Sequence, residues 1–190
     1  MKDNTQYRYK QTATRPHHPG VKLTKHDFYE NGTQVFFWES LFSNWEPGEF
    51  DMLINDDSIT FGCSEQAMMF FKAMTFNDFA SAKLVMATNS PKEQKAIGRQ
   101  VKNFDQAVWE KKGLELFPEV LAAKFEQVPG YKAILLGTGD KTLVEASPFD
   151  AVWGIKMGVN HPYLIDESKW QGKNLLGICL MKARDLVREG

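Results

Sequence analysis

Two acidic residues stand in sequence surroundings that could serve catalysis. Glu65 lies in the first turn of a predicted helix whose next residues, 67–71, are all apolar. A helix that is apolar on nearly every face is buried, so we expect Glu65 at the edge of the core. Asp150 lies between Phe149 and Trp153, where partial desolvation would raise the pKa of its carboxyl group and suit it for proton transfer. Each acid also has a purely structural interpretation, Glu65 as a helix-dipole partner and Asp150 as a turn or cap residue.

Basic residues could supply charge for an anionic substrate. Lys72 follows Glu65 by two helical turns and therefore shares its face. Lys173 belongs to Gly172-Lys-Asn-Leu-Leu-Gly177, just before a predicted helix, where backbone N–H groups favour an anion such as phosphate. The segment lacks the spacing of a nucleotide-binding P-loop, so it is a weak signal by itself. Lys124 and Arg99 are further candidates for holding phosphates, ranked below Lys173 and Lys72.

The sequence implies no metal or redox cofactor. Cys63 and Cys179 are far apart, and the 4 histidines lack the spacing of a metal-ligand set. No apolar run is long enough to span a membrane and no signal peptide is recognisable, so we expect a cytoplasmic protein. The formal net charge of −1 gives no global positive field toward nucleic acid or membranes.

The elements that must position these residues follow from local patterns. The length of 190 residues suits a single domain. Strands are predicted at residues 33–38, 52–54, 58–61 and 142–145, with a hairpin turn at 55–57. Helices are predicted at residues 64–74, 78–88, from 91 onward, 105–116, 118–127, 130–136 and 174–188. Asn77 is predicted to cap the second of these helices, and Pro118 is predicted to break the helical segment between residues 116 and 118. Strands come early and βαβ alternation is lacking, which favours a mainly α, α-rich α+β fold with a small N-terminal β element.

Residues 1–26 are predicted to form a basic arm that is flexible or loosely docked. Its lysines and arginines face a single acid, Asp3, and it has two prolines and no apolar periodicity. A single compact domain is expected over residues 27–190.

The motifs, taken in order, resemble those of one known family. They are Phe42-Ser-Asn-Trp45, Ser64-Glu-Gln with Lys72, Trp109, Ala123-Lys-Phe125, Leu135-Leu-Gly-Thr138, Leu143-Val-Glu145, Asp150-Ala-Val-Trp-Gly154 and Gly172-Lys-Asn-Leu-Leu-Gly177. From Val35 to the C-terminus the chain is similar to the NADAR (YbiA-like) family of N-glycosidases. The resemblance implies a compact single-domain YbiA-like helical fold. It also implies cleavage of ribosylamine-type intermediates of riboflavin synthesis, or removal of ADP-ribose from modified bases.

The resemblance also implies a site and a reaction. The reaction is hydrolysis of the C1–N bond of a ribosylated or phosphoribosylated base, such as a riboflavin-pathway phosphoribosylaminopyrimidine. Glu65 and Asp150 match the catalytic positions, Glu65 as the anion facing the ribosyl cation and Asp150 as the proton donor. The implied substrate-binding residues are Asn44, Trp45, Lys72, Trp109, Trp153, Gly154, Lys173 and Asn174. No metal or cofactor is implied, and the expected partner is a small nucleotide-like molecule.

Two other functions stay open at this point. One is an ADP-ribosyl hydrolase that acts on a base such as guanine in DNA, with the basic arm contacting nucleic acid. The other is a non-catalytic module that binds ADP-ribose or an NAD derivative. The presence of both Glu65 and Asp150 argues against the non-catalytic module.

Overall fold

The computed structural model describes residues 17–190, and within them the predicted α+β class is confirmed. The strands are β1 Lys22–Leu23, β2 Tyr29–Glu30, β3 Gln34–Phe37, β4 Pro47–Ile54, β5 Asp57–Cys63 and β6 Thr142–Glu145. The helices are α1 Ser64–Thr75, α2 Phe79–Met86, α3 Pro91–Gly98, α4 Gln106–Gln127, α5 Tyr131–Gly137 and α6 Leu175–Glu189. The described residues form two compact units, unit 1 (residues 17–42 and 140–177) and unit 2 (residues 43–139 and 178–190).

Unit 1 is built on a four-stranded sheet in the order β1-β2-β3-β6. The pair β3 and β6 is parallel, with Val35 opposite Leu143 and Phe36 opposite Val144, and these four side chains are fully buried. Short runs of consecutive apolar residues are typical of strands covered on both faces, which is why the sequence revealed β3 and β6. The strands β1 and β2 have two residues each and carry no such run.

Part of the predicted arm belongs to unit 1. Val21 is buried in the core cluster that includes Leu164, and the backbone N–H of His18 donates to Val159 O at 2.7 Å. Residues 17–26 therefore contribute core and strand contacts to unit 1. The rest of the arm, residues 1–16, lies outside the described residues.

Unit 2 begins with a hairpin that leads directly into the helix carrying Glu65. β4 and β5 are antiparallel, and Asn55 and Asp56 at the turn both have positive φ, +51° and +69°. Such a pair is the requirement of a type I′ turn, so the predicted hairpin is confirmed. β5 ends at Cys63 and α1 starts at Ser64 with no loop between them, so the strand fixes where the helix begins.

Two helix predictions in unit 2 need correction. The break expected at Pro118 does not occur, because α4 runs through it. Proline removes only one helical N–H, and Phe117, Val120 and Leu121 around it are buried against the rest of unit 2, so packing outweighs the lost hydrogen bond. The N-cap of α2 is Asp78, whose carboxylate accepts from Ser81 N, and not Asn77.

The closing helix α6 follows its predicted apolar stripe. Leu176, Leu180, Ala183 and Val187 recur at helical spacing and are all buried. No helix within residues 17–190 combines the length and the apolar character that crossing a membrane requires.

Candidate active site

The predicted site residues fall into two groups, one in each unit, and each group is described by itself. Unit 2 holds Asn44, Trp45, Glu65, Lys72 and Trp109. Unit 1 holds Asp150, Trp153, Gly154, Lys173 and Asn174.

Glu65 is the second residue of α1 and is 3% exposed, which confirms the expectation that it is buried. The N-cap residue Cys63 makes no side-chain capping hydrogen bond. Instead the backbone N–H of Glu65 donates to Asn44 O at 2.9 Å, so the loop before β4 satisfies one of the free N–H groups of this helix end. The carboxylate thus lies where the helix dipole is positive and where little water can screen its charge.

Lys72 is the basic partner of Glu65 on α1. It is 9% exposed, and burial lowers the pKa of its ammonium group, as does the nearby Arg99. The Glu65 carboxylate acts in the opposite direction and raises this pKa. The two charged groups are therefore close enough to act on each other electrostatically.

An aromatic residue that the sequence did not reveal completes this group. The Nζ atom of Lys72 lies 3.9 Å from the ring centroid of Phe104. Phe104 sits in the loop between α3 and α4, where no periodic pattern marks a side chain as special. Only its position beside the start of a predicted helix could have suggested it.

Asn44 positions Glu65 through its backbone. Its side chain is 8% exposed, and among residues 17–190 the buried Oδ1 atom meets no hydrogen-bond partner. The role of Asn44 in binding substrate stays a prediction. Trp45 next to it is half-buried, with the Lys95 ammonium 5.9 Å from its ring, and keeps surface for a ligand.

Lys124 holds the same loop from the other side. It is 1% exposed, and its Nζ atom donates to Glu46 O at 2.8 Å. Burial lowers its pKa to about 8, with the Cys63 thiol and Glu46 acting in the opposite direction. A buried ammonium bonded to a backbone carbonyl is not accessible to a phosphate, so Lys124 is a structural residue.

Trp109 is a further predicted substrate-binding residue, and its contact with substrate stays a prediction. It lies in the first turn of α4 and is 4% exposed. So little of its ring is open that stacking on a ligand would require a rearrangement. Its burial supports packing as the role of Trp109 in this structure.

In unit 1, Asp150 closes a tight turn. Its Oδ1 atom accepts from Val152 N at 2.9 Å and from Trp153 N at 2.8 Å. Phe149 is 83% exposed and packs edge-on to Trp38, so it does not desolvate Asp150 as expected. The carboxylate therefore has the capping role that the sequence allowed, and its catalytic role stays a prediction. Trp153 is half-buried.

The segment 172–177 does not form the expected phosphate cradle. Four consecutive backbone N–H groups at the start of α6 donate to four carbonyls of the turn after Asp150, at 3.0 to 3.2 Å. The pairs are Lys173 to Ala151, Asn174 to Gly154, Leu175 to Val152 and Leu176 to Trp153. These donors are used within the protein, so only the exposed side chain of Lys173 stays a candidate for an anion.

The glycines and the asparagine of this segment serve close packing. A Cβ at Gly172 would lie 2.2 Å from Gly154 O, and one at Gly177 would lie 2.0 Å from Leu143 O. Asn174 has φ +53°, accepts from Glu145 N at 3.0 Å and donates to Leu143 O at 2.9 Å. Gly154 and Asn174, predicted as substrate ligands, therefore join the turn to β6 through these contacts.

Comparisons with known proteins identify the relatives of this chain. Residues 28–188 match the model of the NADAR domain family. An N-glycosidase of Acanthamoeba polyphaga mimivirus is 37% identical over 166 residues, covering 87% of this chain and 98% of that protein. N-glycosidase YbiA of Escherichia coli is 31% identical over 132 residues, covering 70% of this chain and 74% of that protein. The NMR structure of E. coli YbiA is similar with a TM-score of 0.63 and 27% identity, covering 83% of this chain and 86% of that one.

Proposed function

The chain belongs to the NADAR domain family, and we propose that it is a hydrolase that cleaves the N-glycosyl bond between a ribose and a base. Relatives that are named N-glycosidases and share most of their length with this chain support the reaction class. The observation that carries the proposal within the structure is the buried carboxylate of Glu65, fixed at the start of α1 beside Lys72.

The chemistry of the bond explains why such an acid is needed. As the C1–N bond breaks, positive charge develops on C1 and the ring oxygen of the ribose. A carboxylate that is already oriented and poorly screened stabilises this charge without reorganising. The Glu65 carboxylate is poorly screened because the side chain is buried, and the hydrogen bond from Glu65 N to Asn44 O fixes the helix turn that carries it.

The departing base needs a proton, and water must attack C1. We infer Asp150 as the proton donor from its match to the family motif, and the hydrogen bonds from Val152 N and Trp153 N hold its carboxylate in one orientation. Trp153 is half-buried and offers an aromatic surface for the base.

For the substrate we propose a ribosylated or phosphoribosylated base of the aminopyrimidine type. Lys72 and the exposed Arg99 act on each other electrostatically, and Glu65 offsets part of this positive charge at Lys72. An excess of positive charge of this kind favours a ligand that carries a phosphate group.

The test is a base-release assay with three substrates, a phosphoribosylaminopyrimidine, DNA with ADP-ribosylated guanine, and NAD. Glu65→Gln keeps the shape of the side chain and removes its charge, so it should lower the turnover rate by about 10²- to 10³-fold. Glu119→Gln, which removes an exposed carboxylate on α4, is the matched control and should keep the wild-type rate.

The three substrates separate the candidate functions. Release from the aminopyrimidine supports the proposal, and release from guanine alone would transfer the activity to ADP-ribosylated DNA. Binding of ADP-ribose without release from any substrate would overturn the enzymatic assignment. Full turnover by Glu65→Gln would exclude Glu65 from the mechanism.

A further inference from the structure

We propose that Phe104 is a positioning residue that holds the Lys72 ammonium group against the face of its ring. The proposal goes beyond the reaction class and rests on the proposed function in one respect, the use of Lys72 to bind substrate. The separation of 3.9 Å between Nζ and the ring centroid is well inside the range of about 6 Å in which a cation and an aromatic face attract each other.

The ring of Phe104 is fixed by its own neighbours. Phe76, at the end of α1, meets it edge-on, with the ring centroids 5.4 Å apart and the planes at 69°. The loop that carries Phe104 is tied to α2, because Lys102 N donates to the Asp78 carboxylate at 3.0 Å. The same loop buries Val101 in unit 2. Phe104 therefore presents a defined surface to Lys72.

Lys72 needs such support because its surroundings oppose its charge. Two charged groups act on it, Glu65 from the same helix and Arg99 from the end of α3. Burial and Arg99 favour the neutral amine and Glu65 favours the ammonium, and the pKa is lowered overall. The negative face of an aromatic ring favours the ammonium and offsets part of the cost of its burial.

The exposure of the two side chains shows what the contact does for a ligand. Lys72 is 9% exposed, whereas Phe104 is 40% exposed. The ring thus lies at the surface with the ammonium against its face, and this contact restrains the position of Nζ. We expect this restraint to lower KM for a substrate with an anionic group and to leave kcat nearly unchanged.

The direct test is the titration of Lys72 by NMR in protein with ¹³C,¹⁵N-labelled lysine, with Lys72→Arg to assign the signal. Phe104→Leu keeps an apolar cover but removes the aromatic face, so the midpoint of Lys72 should fall by about 0.4 to 1.5 pH units. Phe104→Tyr should restore the wild-type midpoint. Phe79→Leu, at an exposed ring on α2, is the matched control and should not shift it.

A second variant removes any dependence on folding. Trifluorophenylalanine at position 104 keeps the ring and its packing but withdraws charge from the ring face, so it should lower the midpoint in the same direction as leucine. An unchanged midpoint in both variants would overturn the proposal.

Kinetics then test the link to binding. In the base-release assay, Phe104→Leu should raise KM by about 2- to 30-fold with kcat nearly unchanged. Phe104→Tyr should restore the wild-type KM. A lowered midpoint with an unchanged KM would refute the positioning role. If wild-type protein released no base from any substrate, the proposed function would fail while the titration still decided whether Phe104 holds Lys72.

Discussion

Replacing Lys124 by methionine tests how the loop beside Glu65 is held. Burial lowers the pKa of Lys124 to about 8 from the ordinary 10.5. Between these two pH values the unfolded chain keeps a proton that the folded chain has released. The free energy of unfolding therefore rises with pH in this window. The rise is about 1.4 kcal/mol per pH unit and amounts to roughly 3 kcal/mol by the upper end.

The assay is urea unfolding at pH values from about 7 to 10.5, with the wild type compared with Lys124→Met. Cys63 requires a control, because burial raises the pKa of its thiol and its titration lowers stability as pH increases. Both proteins are therefore measured with Cys63→Ala as well. From the lower to the upper end of this pH range, the free energy of unfolding of the wild type should rise by roughly 3 kcal/mol more than that of Lys124→Met. A difference that stays constant with pH would refute the burial of a titrating ammonium.

Three further predictions concern unit 1 and its turn. Asp150→Asn keeps the Oδ1 acceptor that two backbone N–H groups use, so the circular dichroism spectrum should be unchanged. The rate of base release should fall by about 10²-fold or more. Turnover at the wild-type rate would show that Asp150 is only a capping residue. Trp153→Ala should raise KM in the same assay. It should lower the free energy of unfolding by less than the roughly 3–5 kcal/mol expected for truncating a fully buried tryptophan. Activity that merely follows the folded fraction in urea would contradict this prediction. Gly177→Ala should lower the free energy of unfolding in urea by about 3 kcal/mol or more, because its Cβ would lie 2.0 Å from Leu143 O. The control Gly137→Ala, whose Cβ would have nothing within 4 Å, should change this free energy by less than about 1 kcal/mol. Equal losses of stability in the two variants would show that the contact at Gly177 does not constrain the fold.

Elements with local signals could be predicted from the sequence. The turn at Asn55 and Asp56 requires positive φ, which these residue types accept more readily than others. Ser90 before Pro91 supplies both an acceptor for the first turn of α3 and a fixed φ, and the structure has Ser90 as the N-cap. The burial of Glu65 followed from the apolar residues after it, because a helix without a polar face has no side to turn toward water.

Features that depend on tertiary contacts could not be predicted in this way. The continuity of α4 through Pro118 is decided by neighbours that are distant in sequence. The start of α6 looked like an anion site because the sequence does not show that the carbonyls of residues 151–154 occupy its N–H groups. Phe104 gave no signal, since its role depends on the position of Lys72 in space.

The motif residues of this family divide by what they contact. Gly172, Asn174 and Gly177 contact backbone atoms of the turn and of β6, and these contacts explain why their residue types are needed. The same holds for Lys124, whose ammonium group holds the backbone carbonyl of Glu46. An acid that stabilises developing charge works only if its position is set before the substrate arrives. The motifs therefore specify a rigid backbone as much as a set of reacting groups, and substrate differences within the family are expected to follow residues such as Phe104 that lie at the surface beside the fixed charges.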